Sequence, residues 1–393
     1  MYECFRIYLK HSMQIIYYSM NDTSELISGI DLYKYTLPYK VPSKIALGTS
    51  YEANNVLVRI YTKSGLYGLG ECSSSYKITG DTQSSNFEVG KYLAKLIKGQ
   101  NFLAIDHLRE EIENAIVGQT QIKSAFDLAL YDLLGKYYKI PLYSLLGGKK
   151  RTIYTDCTLF IHDDLEDSIK DARLIANNGF PAIKVKVGLT EKQDIQLIKS
   201  IREEIKKDLK IRIDANQGWN LPQAIRMLKE LEKYDLQFAE QPLKRWDYQN
   251  LVRLKEVTSV PICLDESLFN EHDAFHLASI GACDIFNIKL GKSGGLYNAL
   301  KINEVAKSAG MNCMLGCMSE SRLGLSAAAH FASARPNVKF LDLDSALFFK
   351  EDPILGGIQY DDKINGKIIL PDTPGHGADV KEEFLKGKEK EII

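Results

Sequence analysis

The sequence has no apolar run that approaches the roughly 18 residues of a membrane-spanning helix. It also has no excess of basic residues, because 50 lysines and arginines stand against 51 acidic residues and give a net charge of −1. Nucleic acid and anionic membrane surfaces are therefore not expected as partners. With 45% hydrophobic and 26% charged residues, the composition is that of a soluble globular protein.

Cysteine is scarce, and its pattern does not indicate a disulfide framework. The seven cysteines are odd in number and scattered, and no two have the spacing of zinc ligands. Several lie within apolar runs, where a free thiol packs as a small hydrophobic group. This usage favours a reducing, cytoplasmic location.

The first 20 residues lack the uninterrupted apolar core that a signal peptide requires. Four ionisable residues break it: Glu3, Arg6, Lys10 and His11. We therefore expect residues 1–27 to be a poorly ordered extension that precedes a later start, such as Met20.

Residues 28–148 carry strand signals first and helix signals after them, which predicts an α+β domain. The strand signals are β-branched and aromatic runs up to residue 72. Two polar, glycine-containing stretches, 40–51 and 73–85, are predicted to be loops. Three helical patterns follow: FEVGKYLAKLIKG, HLREEIENAI and IKSAFDLALYDLLGKYY.

Beyond residue 148, short apolar runs alternate with helical patterns. The eight runs are IYTDCTL (153–159), AIKVKVG (182–188), IRIDANQ (211–217), LQFAEQP (236–242), PICLDES (261–267), DIFNIKL (284–290), NCMLGCM (312–318) and VKFLDLD (338–344). Their steps of about 22 to 29 residues predict an α/β fold, a (β/α)8 barrel over 149–345. A doubly wound open sheet is the alternative, but it would not need eight such units, and no GxGxxG follows the first strand. Residues 346–393 lose the alternation and are expected to return to the domain 28–148, which would cap the barrel.

Three successive predicted strands end on an acid: Asp214, Glu240 and Asp265, at intervals of 26 and 25 residues. Active sites of such barrels lie at the carboxyl ends of the strands. Three oxygen ligands without sulfur or imidazole suit one Mg²⁺, or Mn²⁺, rather than zinc. The alternative for any single acid is that it is charged simply because the end of a strand faces water. Asn216 could orient this site, contact a ligand, or merely satisfy strand-end hydrogen bonds.

Lysines mark the second and sixth predicted strands, which face each other across a barrel. Lys184 and Lys186 share one strand face, and Lys289 ends the sixth strand. A lysine near another cation and a metal ion has its ammonium form disfavoured. We therefore expect Lys184 to lower the pKa of Lys186, and the metal to lower that of Lys289, towards general-base chemistry. Opposed bases could remove a proton from one face of a substrate and return one to the other. The alternative is that the lysines only neutralise the three acids.

These motifs resemble those of a known family. KVKVG, DANQGW, AEQP, LDES and NIKLGKSGG are similar to the muconate-lactonizing subgroup of the enolase superfamily, from about residue 28 onward. Within that subgroup, ITGDT (78–82), GCMSES (316–321) and DLD (342–344) look like the dipeptide epimerases. The resemblance implies Lys186 and Lys289 as the acid/base pair, and Asp214, Glu240 and Asp265 as ligands of one Mg²⁺ per subunit.

The resemblance also implies a substrate site. Lys184 would contact the substrate carboxylate, while Thr158 and Cys317 would line the pocket. Asp342 and Asp344 would bind the substrate ammonium. Being two residues apart on one strand, these acids point the same way. Two unneutralised acids would select a zwitterion such as a dipeptide, although a metal pair or a salt-bridged strand end is the alternative.

The expected function is therefore a Mg²⁺-dependent dipeptide epimerase. It would invert the α-carbon of the C-terminal residue of an L,L-dipeptide by two-base 1,1-proton transfer through an enediolate. A cycloisomerase, an o-succinylbenzoate synthase or an N-acylamino acid racemase is the alternative, although their substrates lack the ammonium; a non-catalytic binding protein is a more remote one. We also expect a homo-oligomer.

The choice of dipeptide is expected to lie in the loops 40–51 and 73–85. Family members that act on Ala-Glu tend to carry a cation in the first loop. Gly48 stands at that position, and Lys44 is the nearest cation in the sequence. This argues against Ala-Glu as the substrate.

Overall fold

The computed structural model describes residues 23–205, 208–364 and 366–393. Of the expected extension 1–27, residues 1–22 lie outside these ranges. Thr23–Glu25 forms a short 3₁₀ helix, and Tyr137 Oη donates a hydrogen bond of 2.6 Å to Glu25. The folded chain therefore begins before residue 28, because the side chain of Glu25 is anchored to a later helix.

An antiparallel sheet and a layer of helices form the N-terminal part. Its elements are β1 (Ile27–Ile45), β2 (Gly48–Thr62), β3 (Tyr67–Ser73), α1 (Gln83–Ile97), α2 (Ile105–Ala115), α3 (Thr120–Tyr138) and α4 (Leu142–Leu145). Helix α3 packs directly on β3 because Gly68 and Gly70 present no side chain there. A Cβ atom on Gly70 would overlap the carbonyl oxygen of Ala125. The β-then-α order predicted for this part is confirmed.

The stretch 40–51 is a β-hairpin, so the prediction of a loop was wrong. Ile45 pairs with Gly48, and only residues 46–47 form the turn. Pro42 lies where the pairing of β1 with β2 is interrupted, so its missing N–H costs no ladder hydrogen bond. Sequence composition missed the hairpin because proline and glycine also occur at such irregularities.

Eight parallel strands follow in one sheet, in chain order. After β4 (Ile153–Tyr154) they are β5 (Cys157–Leu159), β6 (Ala182–Lys186), β7 (Lys210–Asp214), β8 (Leu236–Glu240), β9 (Ile262–Leu264), β10 (Ile285–Ile288), β11 (Asn312–Leu315) and β12 (Val338–Leu341). Asp156 N donates a hydrogen bond of 3.2 Å to Leu341 O, which joins the first strand region to the last. The predicted (β/α)8 barrel is confirmed.

Helices alternate with these strands around the barrel. They are α5 (Leu165–Asn177), α6 (Glu191–Glu204), α7 (Leu221–Leu231), α8 (Tyr248–Val257), α9 (Glu271–Ser279), α10 (Leu290–Ser293), α11 (Leu296–Ser308) and α12 (Arg322–Ala334). In α7, Asn220 and Gln223 exchange capping hydrogen bonds of 3.0 and 3.1 Å. Met227, Leu228 and Leu231 then bury one face, as the helical period requires.

The first predicted run, 153–159, is two strands rather than one. Only Cys157–Leu159 joins the barrel, whereas β4 pairs with β15 (Lys367–Ile369) of the C-terminal segment. Thr155 separates the two, and its N–H donates to Gly366 O at 2.7 Å. The apolar pattern could not reveal the break, because both halves are strands.

The C-terminal segment returns to the N-terminal layer. Its remaining elements are β13 (Ile354–Gly356), β14 (Gln359–Tyr360), β16 (Ala378–Val380), α13 (Glu382–Leu385) and β17 (Lys390–Ile392). Strand β17 pairs antiparallel with β1, with Leu32 opposite Glu391. The expectation that this segment returns to the N-terminal domain is therefore confirmed, and its last strand joins the sheet there.

No helix in the described part of the chain is long and apolar enough to cross a membrane. The six described cysteines are free thiols, and all are buried. Cys4 lies outside the described residues. The expected homo-oligomer stays a prediction.

Candidate active site

A cavity of about 570 Å³ lies between the carboxyl ends of the barrel strands and the tip of the β1–β2 hairpin. Seven of the ten predicted site residues line it: Thr158, Lys186, Asp265, Lys289, Cys317, Asp342 and Asp344. The other three, Lys184, Asp214 and Glu240, are at most 1% exposed. Lys184 pairs with Asp342 and Asp214 pairs with Lys186, while Glu240 joins the group through Lys184. The structure therefore brings all ten predicted residues together.

The three predicted metal ligands occupy neighbouring strand ends. Asp214 and Glu240 are the last residues of β7 and β8 and stand opposite each other in the parallel register, and Asp265 directly follows β9. Asn216 N donates to Asp214 Oδ1 at 2.9 Å, and Asn287 Nδ2 donates to Glu240 Oε1 at 2.8 Å. These contacts orient the first two carboxylates from the strand backbone and from β10.

Lys184 is the centre of a buried ion network. Its Nζ lies 3.2 Å from Asp214, 2.8 Å from Glu240 and 2.7 Å from Asp342. Burial disfavours its ammonium form, but the charges of Asp342 and Glu240 hold the pKa of Lys184 well above the usual value. Lys184 therefore neutralises acids in this arrangement, and it is absent from the described cavity lining.

Lys186 and Lys289 each pair with a different carboxylate. Lys186 Nζ lies 2.7 Å from Asp214 Oδ2, and Lys289 Nζ lies 2.7 Å from Asp265 Oδ2. Burial opposes the charge of Lys289, but the nearby Asp265 holds the pKa of that lysine above its usual value. The lowered pKa expected for Lys289 depends on a bound metal ion, so it stays a prediction.

Two functional candidates escaped the sequence analysis. Lys292 is fully buried, and its Nζ donates to Asp265 Oδ1, Asp265 O and Asn287 O. Glu266 is 1% exposed and accepts a hydrogen bond from Asn216 Nδ2 at 3.3 Å. The signals were present in the sequence, since Lys292 follows Lys289 by one helical turn and Glu266 follows Asp265 directly.

The donor set fits a divalent cation. Six acids share the site with only four lysines, so two negative charges are left over: Asp214, Glu240, Asp265, Glu266, Asp342 and Asp344 against Lys184, Lys186, Lys289 and Lys292. Burial and the charge of Asp214 raise the pKa of Glu240 to about 7. Burial and the charge of Asp265 raise the pKa of Glu266 to about 8. These shifts indicate an uncompensated negative charge among hard oxygen donors, which is what Mg²⁺ or Mn²⁺ would relieve.

A tighter group of potential ligands occurs elsewhere in the cavity. Among the described residues, the three whose ligand atoms all lie within 4.8 Å of one another are Cys317, Asp342 and Asp344. Burial holds the pKa of the Cys317 thiol well above its usual value, and a protonated thiol is a poor metal ligand. A hard cation therefore favours Asp214, Glu240 and Asp265 as its ligands over the group that contains Cys317. Lysines lie against these three carboxylates in the structure.

Asp342 and Asp344 differ in their partners. Lys184 neutralises Asp342, and although burial opposes the charge, this lysine lowers the pKa of Asp342 to about 2. Asp344 accepts hydrogen bonds from the uncharged Thr158 N at 2.6 Å and Cys317 Sγ at 4.0 Å. Burial and the charge of Asp342 raise the pKa of Asp344 to about 7. The expectation of two unneutralised acids is therefore wrong for Asp342.

A cation does lie at the position that Gly48 leaves open. A Cβ atom on Gly48 would stand 2.5 Å from Lys77 Nζ, and both residues line the cavity. The φ of Gly48 is 124°, which also disfavours a side chain here. Lys44, by contrast, pairs with Asp163. Lys44, the nearest cation in the sequence, is therefore paired elsewhere. The cation beside Gly48 is Lys77, which lies in the segment after β3.

The chain matches two family models and several known enzymes. A model described as mandelate racemase/muconate lactonizing enzyme, N-terminal domain, matches residues 30–147, and one described as enolase C-terminal domain-like matches residues 167–384. The D-Ala-D/L-Ala epimerase of Cytophaga hutchinsonii is 43% identical over 369 residues, 94% of this chain and 100% of that protein. The L-Ala-D/L-Glu epimerase of Clostridium acetobutylicum is 38% identical over 357 residues, 90% of this chain and 99% of that protein.

The fold comparison agrees. A crystal structure of a dipeptide epimerase from Cytophaga hutchinsonii, complexed with Mg and D-Ala-L-Val, gives a TM-score of 0.91 at 43% identity, over 94% of this chain and 100% of that one. These relatives are isomerases, and so is this enzyme. Both halves of the chain are matched, and the strand ends carry the acids and lysines that the resemblance requires. The chain belongs to the mandelate racemase/muconate lactonizing enzyme family of the enolase superfamily.

Proposed function

We propose that this protein is a Mg²⁺-dependent dipeptide epimerase that inverts the α-carbon of the C-terminal residue. One observation carries the proposal: Lys186 and Lys289 line one cavity from different strands, each against a different carboxylate. Two separate bases are what inversion of a stereocentre needs. The similarity to epimerases named for dipeptides supports the substrate class.

Proton transfer would use the two lysines in turn. In one direction the ε-amine of Lys186 takes the α-proton: the C–H bond breaks as an N–H bond forms, and the electron pair moves into the substrate carboxylate. The ammonium of Lys289 then returns a proton to the opposite face and re-forms the C–H bond with inverted configuration. One proton leaves the α-carbon and one returns to it, so no atom or electron is gained or lost. In the reverse reaction Lys289 takes the proton and Lys186 returns one.

Asp214, Glu240 and Asp265 would hold the Mg²⁺, whose charge would stabilise the negative charge that develops on the substrate carboxylate. Lys184 would hold the three surrounding acids in place and supply a further positive charge close to that carboxylate. Lys292 would fix Asp265, because its Nζ donates to both the carboxylate and the backbone carbonyl of Asp265. Lys184, Asp214 and Glu240 are at most 1% exposed, and this burial strengthens each of these interactions.

Asp344 would receive the ammonium of the dipeptide. It is buried, it lines the cavity, and its described partners carry no positive charge. A cycloisomerase, an o-succinylbenzoate synthase or an N-acylamino acid racemase acts on substrates without this ammonium. With such a substrate bound, the Asp344 carboxylate would remain buried without a compensating positive charge. A dipeptide substrate is therefore favoured.

The direct test is a library of L,L-dipeptides incubated with the enzyme and Mg²⁺ in D2O. We expect deuterium at the α-carbon of the C-terminal residue, together with the L,D product, as measured by mass spectrometry and chiral chromatography. N-acetylated analogues should react more slowly. A protein that labels no dipeptide, or labels acylated analogues faster, would not be a dipeptide epimerase.

The same library reports on Lys77. Because its ammonium stands beside Gly48 in the cavity, we expect dipeptides ending in Glu to be preferred to those ending in Gln. Lys77→Met should remove this preference and change the ratio of the two kcat/KM values by roughly 10-fold, the worth of about one charged contact. Lys44→Met is the matched control, since Lys44 already pairs with Asp163. An unchanged Glu/Gln ratio in Lys77→Met would exclude this role.

The Asp344→Asn variant tests recognition of the ammonium. Losing a charged hydrogen bond costs about 1.5–3 kcal/mol, so kcat/KM for dipeptides should fall roughly 10- to 100-fold. The N-acetyl analogues should be nearly unaffected, because they present no ammonium. Steady-state kinetics on matched pairs of substrates gives the comparison, and equal losses for both would contradict the assignment.

A further inference from the structure

We propose that Asp127, on helix α3 of the N-terminal layer, is a positioning residue for Lys289. The proposal rests on the function proposed above and concerns only one of its two bases. Asp127 is 3% exposed, and the resemblance to known enzymes gave it no role. Its contacts with the segment that follows Lys289 carry the inference.

The segment after Lys289 is anchored at Lys292, whose Nζ donates to Asp265 and Asn287, but its second half depends on other contacts. Lys289 directly precedes α10, which is a single helical turn, and Ser293 N donates back to Lys289 O at 3.0 Å. Gly294 and Gly295 follow with φ angles of 82° and 117°. Glycine in these conformations leaves the backbone free to move unless something else holds it.

Asp127 supplies a further restraint, at the glycine end of the segment, from another layer of the protein. Helix α11 begins after Gly295, which has no side chain to cap it. Asp127 Oδ2 accepts hydrogen bonds from Leu296 N at 2.6 Å and Tyr297 N at 3.4 Å, and so acts as the N-cap. A Cβ atom on Gly295 would overlap the Asp127 carboxylate, so the glycine and the acid fit each other closely.

A second contact holds the start of the segment to the same helix. Gln121, also on α3, packs against Gly291 of α10 so closely that a Cβ atom there would overlap the Gln121 side-chain oxygen. Both ends of the segment 290–297 therefore rest on α3. Gly291 and Leu296 follow Lys289 by two and seven residues, so a shift of α3 or loss of the cap would act on the backbone that continues from Lys289.

Lys186 is held in a different way. It ends β6, whose residues pair with β5 on one side and β7 on the other. The ladder pairs Lys186 itself with Asp214, whereas at β10 the pairing ends at Ile288, one residue before Lys289. Loss of Asp127 should therefore misplace one base and spare the other, whereas a general loss of stability should affect both.

The experiment measures α-proton exchange separately for the two epimers of one dipeptide. Each epimer is incubated in D2O, and deuterium that enters the unreacted epimer is followed with time. The Lys289→Ala variant first identifies the epimer whose exchange depends on Lys289. In Asp127→Ala we expect this exchange to fall by roughly 10- to 100-fold relative to the exchange at Lys186, because displacement of a base by about 1 Å has effects of that size. Asp127→Asn keeps a capping oxygen and should stay close to wild type.

Asp132→Ala is the matched control. Asp132 is a fully buried acid of the same helix, but it accepts from Leu69 N and His376 N, both at 3.0 Å, and not from the segment after Lys289. We expect it to lower the melting temperature and leave the ratio of the two exchange rates unchanged. If Asp127→Ala does not fold, Gly295→Ala disturbs the same contact from the other side and should shift the ratio in the same direction.

An unchanged ratio in Asp127→Ala, or an equal shift in Asp132→Ala, would overturn the inference and leave the proposed function intact. An enzyme that exchanges neither epimer of any dipeptide would instead overturn the proposed function, and the inference with it.

Discussion

Replacing Lys289 with alanine is expected to lower epimerisation by about 10²- to 10⁴-fold, the range that a positioned general acid or base contributes. The reason is geometric. Lys186 ends β6 and Lys289 directly follows β10, so we expect each lysine to reach only one face of a bound α-carbon. Removal of one lysine therefore leaves the other able to take a proton from its own face but not to complete the inversion.

The sharper expectation concerns exchange without inversion. The Lys289→Ala variant should still incorporate deuterium from D2O at the α-carbon of one epimer. The Lys186→Ala variant should incorporate it at the α-carbon of the other epimer, and NMR of the α-proton follows both. The control is Lys170→Ala, because Lys170 is an exposed lysine paired with Asp167 on α5. Lys289→Ala that epimerises at the wild-type rate would exclude the two-base mechanism, and exchange of both epimers in each variant would exclude this assignment of faces.

Removing the divalent cation is expected to lower the activity by roughly 10³-fold, because electrostatic stabilisation by a metal is worth several kcal/mol. Chelation should produce this loss of epimerisation, and Mg²⁺ or Mn²⁺ should restore the activity. Thermal unfolding gives a readout independent of activity. At an Mg²⁺ concentration of about 100 times Kd, binding to the native state alone adds about 2.7 kcal/mol to the free energy of unfolding.

Glu240→Gln tests the same site at a single ligand. Glu240 is the best choice of the three because it contacts neither Lys186 nor Lys289 in the described ion pairs, whereas Asp214 and Asp265 do. We expect calorimetry to show weakened Mg²⁺ binding and the melting temperature to lose its dependence on Mg²⁺. Glu320→Gln is the matched control, since Glu320 is a buried acid that accepts from Met318 N outside this ion network. Unaltered Mg²⁺ binding in Glu240→Gln would remove Glu240 from the site.

The sequence predicted the barrel because its signals are local. Apolar runs of strand length recur at short, regular steps, and each is followed by a helical pattern such as the one in α7. Asp214 and Glu240 could be assigned to strand ends because the boundary between an apolar run and an acid is visible in a few residues. The hairpin at 46–47 and the separate strand β4 were missed, since there the local pattern is compatible with more than one partner.

What the sequence determined by itself was the alternation of strands and helices, the acids and lysines at the strand ends, and with them the family. Only the tertiary structure decided which charges meet. Lys184 pairs with Asp342 across 158 residues, and of these two acids only Asp344 has no cationic partner among the described ion pairs. Lys77 reaches the space above Gly48, and Asp127 caps a helix 169 residues away. The physical reason is that strand and helix formation depend on neighbours along the chain, whereas ion pairs, caps and cavity walls depend on distances that exist only after the chain has folded.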